Sequence, residues 1–211
     1  MFFKESCGGM VFCYFTVKIF EETGSPFDSH ISGIAVGVAQ LLPLFVTTYY
    51  VDRVGRRALL IVTYLILSAS LVFIGLFYQF RNEIEYKISP HQSGWIPLVL
   101  FLIYHAAYSG GPFVLTWTVS SEIIPSDVIG FVSGLASAFG WMSSFAFTRY
   151  YQDMNDGLGV ANTFFLYAML SFLSAVCIHI ILPDTVRKSL EDIHQQKNQE
   201  GFEKENEITQ L

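Results

Sequence analysis

The segment Asp52-Arg53-Val54-Gly55-Arg56-Arg57 lies between two stretches, 31–51 and 58–80, that contain no aspartate, glutamate, lysine or arginine. A helix of about 20 apolar residues is long enough to cross the hydrocarbon core of a bilayer. Both stretches reach that length, and the glycine between them gives the backbone the freedom to reverse. The segment therefore predicts two antiparallel membrane helices joined by a short basic loop.

The same pattern extends over the 211 residues, of which 52% are hydrophobic and 14% are charged. Soluble domains carry about 25% charged residues. Three more uncharged stretches cover 95–121, 128–148 and 160–182, and a sixth apolar stretch, 2–20, is interrupted by charges. Since backbone amides in lipid need partners within their own helix, the sequence predicts an all-α membrane protein with six transmembrane helices and polar connections, one of them at 152–159.

Lysines and arginines predict the orientation, because they are enriched in cytoplasmic loops. Six helices place both termini on one side of the membrane, together with the 52–57 and 122–127 loops. That side collects eight basic residues: Lys4, Arg53, Arg56, Arg57, Arg187, Lys188, Lys197 and Lys204. The other side collects four: Lys18, Arg81, Lys87 and Arg149. Both termini are therefore predicted to be cytoplasmic.

Pairs of glycines separated by three other residues suggest where helices pack closely. Gly33 and Gly37 form one such pair, and Gly130 and Gly134 form another. Small residues at this spacing let the backbones of membrane helices approach each other. We therefore predict two tightly packed helix faces at these pairs.

Three ordered motifs carry a family resemblance. The first is the 52–57 loop; the second is Trp117, which stands five residues before Glu122; the third is the segment 182–193, Leu-Pro-Asp-Thr-Val-Arg-Lys-Ser-Leu-Glu-Asp-Ile. The chain thereby resembles the sugar porter family of the major facilitator superfamily, in particular its facilitated trehalose and glucose transporters. The resemblance implies that residues 1–194 are the C-terminal half, helices seven to twelve, of a twelve-helix fold, followed by a disordered cytoplasmic tail at 195–211.

The function that this resemblance implies is transport of a sugar, trehalose or a hexose, by alternating access. Facilitated diffusion is the simplest mode, because Glu5 is the only acid evident within the predicted spans. The family's substrate-contacting positions fall on residues that keep an amide, a hydroxyl, an acid or an aromatic ring. These are Gln40, Trp117 and Trp141, followed by Ser109 and Glu5.

A second group of residues is implied in gating. Pro112 lacks a backbone N–H and is expected to kink its helix. The loop residues and a glutamate after the next span are expected to form a latch on the cytoplasmic side when the transporter faces outward. The latch consists of Asp52, Arg53, Gly55, Arg56, Arg57 and Glu122.

The implied partners are the sugar, the lipid bilayer, and either the missing N-terminal half or another transporter chain, at the plasma membrane. No basic patch indicates nucleic acid, and no cofactor, metal ligand set or enzyme motif is evident in the sequence. The alternative is a non-transporting membrane protein that derives from a transporter half and acts in interaction or sensing. Lys4, Glu5, Met10 and Gly140, which depart from the family's pattern, favour that alternative, whereas the intact loop and tail motifs favour a working transporter.

Overall fold

A computed structural model of the chain describes residues 1–23, 29–81, 95–124 and 128–182. In these residues all regular structure is helical. The elements are α1 (Phe2–Ser6), α2 (Gly9–Thr23), α3 (Ser29–Ala39), α4 (Leu41–Val54), α5 (Arg56–Gln79), α6 (Trp95–Tyr108), a π-helical segment (Ser109–Phe113), α7 (Val114–Ile123), α8 (Ile129–Leu158) and α9 (Val160–Ile181). The predicted tail at 195–211 and the motif from 183 onward lie outside the described residues.

Five spans are long and apolar enough to cross a membrane, and they coincide with the five uncharged stretches of the sequence. They are His30–Val51, Arg56–Gln79, Trp95–Ser121, Ile129–Leu158 and Val160–Ile181. The sixth stretch forms α1 and α2, which are separated at Cys7 and Gly8. Gly8 has a φ of 84° there, a conformation that glycine adopts without strain. The all-α membrane fold is therefore confirmed.

Two of the spans are also interrupted. Gln40 separates α3 from α4, and the π-helical segment separates α6 from α7. Pro112 lies inside that segment, where it has no N–H to offer to the helical hydrogen-bond pattern. Wider π turns of this kind often occur at functional sites. At Pro112, where a kink is expected, the helix changes locally from α to π.

At the interruptions, side chains donate hydrogen bonds to backbone carbonyls. Cys7 Sγ donates to Lys4 O at 2.9 Å, and Tyr104 Oη donates to Cys7 O at 2.8 Å. At the π segment, Thr47 Oγ1 donates to Gly110 O at 2.5 Å. Such partners are needed because the bilayer core offers no water to an unpaired carbonyl.

The last connection differs from the prediction. The polar stretch 152–159 predicts a loop, but α8 continues to Leu158 and only Gly159, at φ 84°, separates it from α9. Arg149 and Asp153, one turn apart on α8, form an ion pair of 3.3 Å. A polar stretch does not by itself predict a loop, because a helix can leave the bilayer and continue with exposed polar residues and i,i+4 pairs.

Aromatic side chains form the centre of the bundle. Phe12 on α2 is fully buried, and its ring is 5.4 Å from that of Tyr104, 5.3 Å from that of Phe164 and 5.2 Å from that of Tyr167. These rings bring α2, α6 and α9 together, while α5 packs along α6 and α9. The core thus lies among α2, α5, α6 and α9, and α8 contributes only Gly140, Ser144 and Tyr151 as buried residues.

The predicted glycine faces are mostly open. A Cβ added at Gly37, Gly130 or Gly134 would meet no atom within 4 Å, so the prediction of close packing is wrong at these three positions. At Gly33 a Cβ would lie 3.3 Å from Val17 Cγ2, so close packing is confirmed there. Closer approaches occur at other glycines, for example in the π segment, where a Cβ on Gly111 would overlap the side chain of Thr63. The glycine spacing alone could not distinguish a face that is packed from one that is open within the described residues.

We expect Gly111→Ala to destabilise the fold because its methyl group would overlap Thr63 Oγ1, which lies in the core on α5. Overpacking of this kind costs about 1–3 kcal/mol. Thermal denaturation of the purified protein in detergent measures the effect. Gly134→Ala is the matched control, since its methyl group meets nothing within 4 Å. Equal melting temperatures for the two variants would contradict the packing described at the π segment.

Candidate functional site

A cavity of about 290 Å³ brings together α1, the π segment, α7 and α8. Three of the five predicted substrate contacts line it: Glu5, Trp117 and Trp141. The other lining residues are Met1, Lys4, Met10, Phe113, Ser137 and Gly140. The wall therefore combines aromatic and small side chains with two charged ones, which is the composition of many small-molecule sites.

The two charged residues form a buried ion pair. Lys4 Nζ lies 2.9 Å from Glu5 Oε1, and the two side chains are 9% and 4% exposed. The same ammonium lies 5.7 Å from the ring centroids of both Phe113 and Trp117, within the range of a cation–π contact. Lys4 is thus held by one carboxylate oxygen and two aromatic rings.

The aromatic residues of the cavity come from two helix faces. Phe113 precedes Trp117 by four residues, and Ser137 precedes Trp141 by four, so that each pair lies on one face of its helix. Trp141 is 64% exposed and Trp117 is 41% exposed, which leaves ring surface open. Phe113 and Ser137 were missed in the sequence, although their spacing to the two tryptophans is a signal that could have found them.

Gln40 and Ser109 lie outside this cavity, in a cluster with His105. Gln40 Nε2 is 3.1 Å from His105 Nδ1, and Ser109 Oγ donates to Gln40 O at 2.9 Å. His105 is fully buried and Ser109 is 3% exposed. This cluster ties the interruption between α3 and α4 to the start of the π segment. The structure therefore separates these two predicted contacts from Glu5, Trp117 and Trp141.

The 52–57 loop is a tight reversal between α4 and α5. Gly55 has a φ of 91°, and Arg53 lies over the ring of Tyr49 at 4.7 Å. Arg57 Nη2 donates to His179 O at 2.5 Å, near the C-terminal end of α9, where a cation stabilises the helix dipole. Arg56 begins α5. The side chains of Asp52 and Glu122 lie outside the described residues, so the predicted latch stays a prediction.

The apolar helices, their interruptions and this loop agree with one family. Residues 1–196 match the profile of the family described as "Sugar (and other) transporter". The chain belongs to this family. It is therefore a multi-pass membrane protein of a transporter family, as the three sequence motifs predicted.

Curated relatives point in the same direction. The chain is 33% identical over 193 residues to "Facilitated trehalose transporter Tret1" of Drosophila pseudoobscura pseudoobscura. It is 31% identical to the protein of the same name from Aedes aegypti and 32% identical to "Trehalose transporter 1" of Drosophila melanogaster, over 193 residues each. Each match covers 92% of this chain but only 22–24% of the relative. The chain thus spans less than a quarter of the length of these sugar transporters.

The amide of Gln40 could act as a hydrogen-bond partner of His105 or as a substrate contact, and one variant distinguishes these two roles. Gln40→Leu would leave His105 Nδ1 buried without this partner, and we expect a loss of about 1–3 kcal/mol of stability. Thermal denaturation in detergent measures it. Gln79→Leu, at the exposed end of α5, is the matched control. If Gln40→Leu weakens sugar binding but leaves the melting temperature at the control value, Gln40 is a substrate contact and not a partner of His105.

Proposed function

We propose that this chain takes part in the transport of a sugar, trehalose or a hexose, by alternating access and facilitated diffusion. The single observation that carries the proposal is the cavity that unites Glu5, Trp117 and Trp141 from three helices. The names of the relatives supply the candidate sugar, trehalose. In this proposal the chain acts as one half of a transporter, together with a second set of helices.

The cavity has the chemistry that a sugar requires. Open ring surface on Trp141 can cover the apolar face of a sugar, and the carboxylate of Glu5 can accept a hydroxyl hydrogen bond. Transporters of this kind bind substrate at discontinuous helices near the membrane midplane and expose it to alternate sides. Glu5 lies before the α1–α2 interruption, and Trp117 follows the π segment. Residues 1–194 would form this half, and 195–211 would be a tail.

Gating in this proposal uses the interruptions and the loop. Pro112 and the π segment would act as the hinge on which α7 moves, because Pro112 has no N–H for a helical hydrogen bond and the segment departs from the α-helical pattern. Asp52, Arg53, Gly55, Arg56, Arg57 and Glu122 would form the latch of the outward-facing state. The contact of Arg57 with the end of α9 supports this, since it already joins the loop to another helix.

Uptake of radiolabelled trehalose and glucose tests the transport function. We expect Trp117→Ala to reduce uptake at limiting sugar by at least about tenfold, equivalent to about 1.4 kcal/mol, because it removes an aromatic wall of the cavity. Trp95→Ala is the control, since Trp95 begins α6 and is not among the cavity residues. Sugar uptake at the control level in Trp117→Ala would contradict the site. Absence of uptake in cells that express the unmodified chain together with a second set of transporter helices would contradict transport.

Both termini are proposed to be cytoplasmic at the plasma membrane. Lys4 is buried in the ion pair and is therefore not counted. Seven basic residues remain on the proposed cytoplasmic side and four on the other side, which still favours this orientation. Epitope tags at the two ends should bind antibody only after the plasma membrane of expressing cells is permeabilised. A tag inserted at Gly159, on the proposed extracellular side, is the positive control. Binding of either terminal tag in intact cells would reverse the assignment.

The second candidate is a membrane protein that senses or interacts without transporting. The buried Lys4–Glu5 pair favours it, because each charge already has a partner within the chain. Sugar binding to the unmodified protein without any uptake would support this candidate over the first.

A further inference from the structure

A second cavity, of about 210 Å³, lies between α1, α5, α7 and α9. Its wall is largely apolar, with Leu60, Val119 and Ile178 among the side chains that line it. Of the described residues in this wall, Met1 and Lys4 are shared with the 290 Å³ cavity, and none is a predicted substrate contact. The second cavity is therefore distinct from the candidate sugar site.

The hydroxyl of Tyr64 supplies a polar point in the apolar wall. Tyr64 lies on α5, lines the second cavity and is 1% exposed. Its hydroxyl has no hydrogen-bond partner among the described residues. The hydroxyls of Tyr108 and Tyr167 lack partners too, but those oxygens are completely enclosed, whereas that of Tyr64 is not. The small accessible part of Tyr64 thus includes its hydroxyl, which borders the cavity.

The size and the charge of the second cavity define what fits it. An apolar cavity of about 150 Å³ in a protein holds benzene, so one of 210 Å³ has room for a somewhat larger ring compound. The lining ammonium of Lys4 is already paired with Glu5 at 2.9 Å. A charged ligand would therefore bring an uncompensated charge into a region where desolvation is expensive.

We propose that the second cavity binds a compact, uncharged, apolar molecule that carries one hydroxyl, and that Tyr64 is the hydrogen-bond partner of that hydroxyl. A nearly buried hydroxyl without a partner is costly, and such a ligand removes the cost. An alkylphenol represents the class, because a phenol with a pKa of about 10 is uncharged at neutral pH. This site goes beyond the proposed sugar transport, since it takes a ligand of different chemistry.

The position of the second cavity gives its ligand an effect on transport. Val119 belongs to α7, whereas Leu60 and Tyr64 belong to α5 and Ile178 to α9. In the proposed gating α7 moves at the π segment, so a molecule held between α7 and the other two helices resists that movement. The ligand should therefore inhibit sugar uptake without competing with the sugar, and this effect alone rests on the proposed function.

The test is equilibrium binding of radiolabelled 4-propylphenol to the purified chain in lipid nanodiscs, with the signal of empty nanodiscs subtracted. We expect saturable binding that glucose and trehalose do not displace. Propylbenzene, which lacks the hydroxyl, and the anion 4-propylbenzoate serve as competitors. The anion should compete at least about tenfold more weakly than unlabelled 4-propylphenol, because its charge finds no counter-charge in the cavity.

The decisive variant is Tyr64→Phe, which removes the hydroxyl and keeps the shape of the cavity. The affinity ratio between 4-propylphenol and propylbenzene should fall by about tenfold in this variant, the loss of one hydrogen bond. Partition of the two compounds into lipid cancels in that comparison. Tyr167→Phe is the matched control: its hydroxyl is also buried without a partner, but Tyr167 is not among the residues that line the second cavity. It should keep the ratio of the unmodified protein.

A variant that fills the cavity tests the location from another helix. Val119→Phe should abolish saturable binding of 4-propylphenol, because the larger ring occupies the space beside α7. Val62→Phe is its control, since Val62 is 52% exposed on α5 and is absent from the described cavity wall. If Val119→Phe fails to fold, the ratio in Tyr64→Phe still decides the site.

The outcomes separate this site from transport. Absence of saturable binding, an unchanged ratio in Tyr64→Phe, or displacement by glucose would each overturn the site and leave sugar transport intact. Binding without inhibition of uptake, in cells that express the chain together with a second set of transporter helices, would overturn the effect on gating. Binding to a chain that supports no sugar uptake would overturn the proposed transport and leave the site.

Discussion

A backbone carbonyl that leaves its helix inside a bilayer has no water to accept a bond from, and this constraint organises the structure. Three of the apolar stretches are interrupted, and each interruption places a carbonyl against a donor from a neighbouring stretch. Tyr104 reaches Cys7 O, Ser109 reaches Gln40 O, and Thr47 reaches Gly110 O. All three bonds have one end on α6 or on the π segment that follows it. The interruptions are therefore places where hydrogen bonds join neighbouring helices.

Several polar residues of the apolar stretches lie at these points, and so do residues of the candidate site. Lys4 and Glu5 precede one interruption, Gln40 forms another, and Ser109 opens the third. A polar side chain in a membrane helix is costly unless it has a partner. Interruptions supply such partners by exposing backbone groups and by shortening the distance between helices. The candidate site and the irregular backbone consequently lie close together.

The sequence predicted the spans well, because an uncharged stretch of some 20 residues or more is rarely compatible with anything except a membrane helix. The structure brings Glu5, Trp117 and Trp141 to one cavity, whereas Gln40 contacts His105 and Ser109 donates to Gln40 O, so the predicted substrate contacts stay a prediction. That separation depends on which helices pack against each other, which periodicity does not encode. The extension of α8 to Leu158 was missed because its polar residues resemble a loop. Of the paired glycines only Gly33 packs closely, because spacing does not reveal which face has a neighbour.

Gly159 alone links α8 to α9, and so short a joint leaves the two helices little independence. At about 1.5 Å per residue, the 30 residues of α8 extend about 45 Å, well beyond a hydrocarbon core of about 30 Å. Trp141 lies within α8, whereas α9 packs into the centre of the bundle. Any tilt of α8 that moved Trp141 would pull on α9 through this joint. The helix that bears the exposed side of the cavity is thus connected directly to the helix in the interior, at the end of α8 that extends beyond the hydrocarbon core.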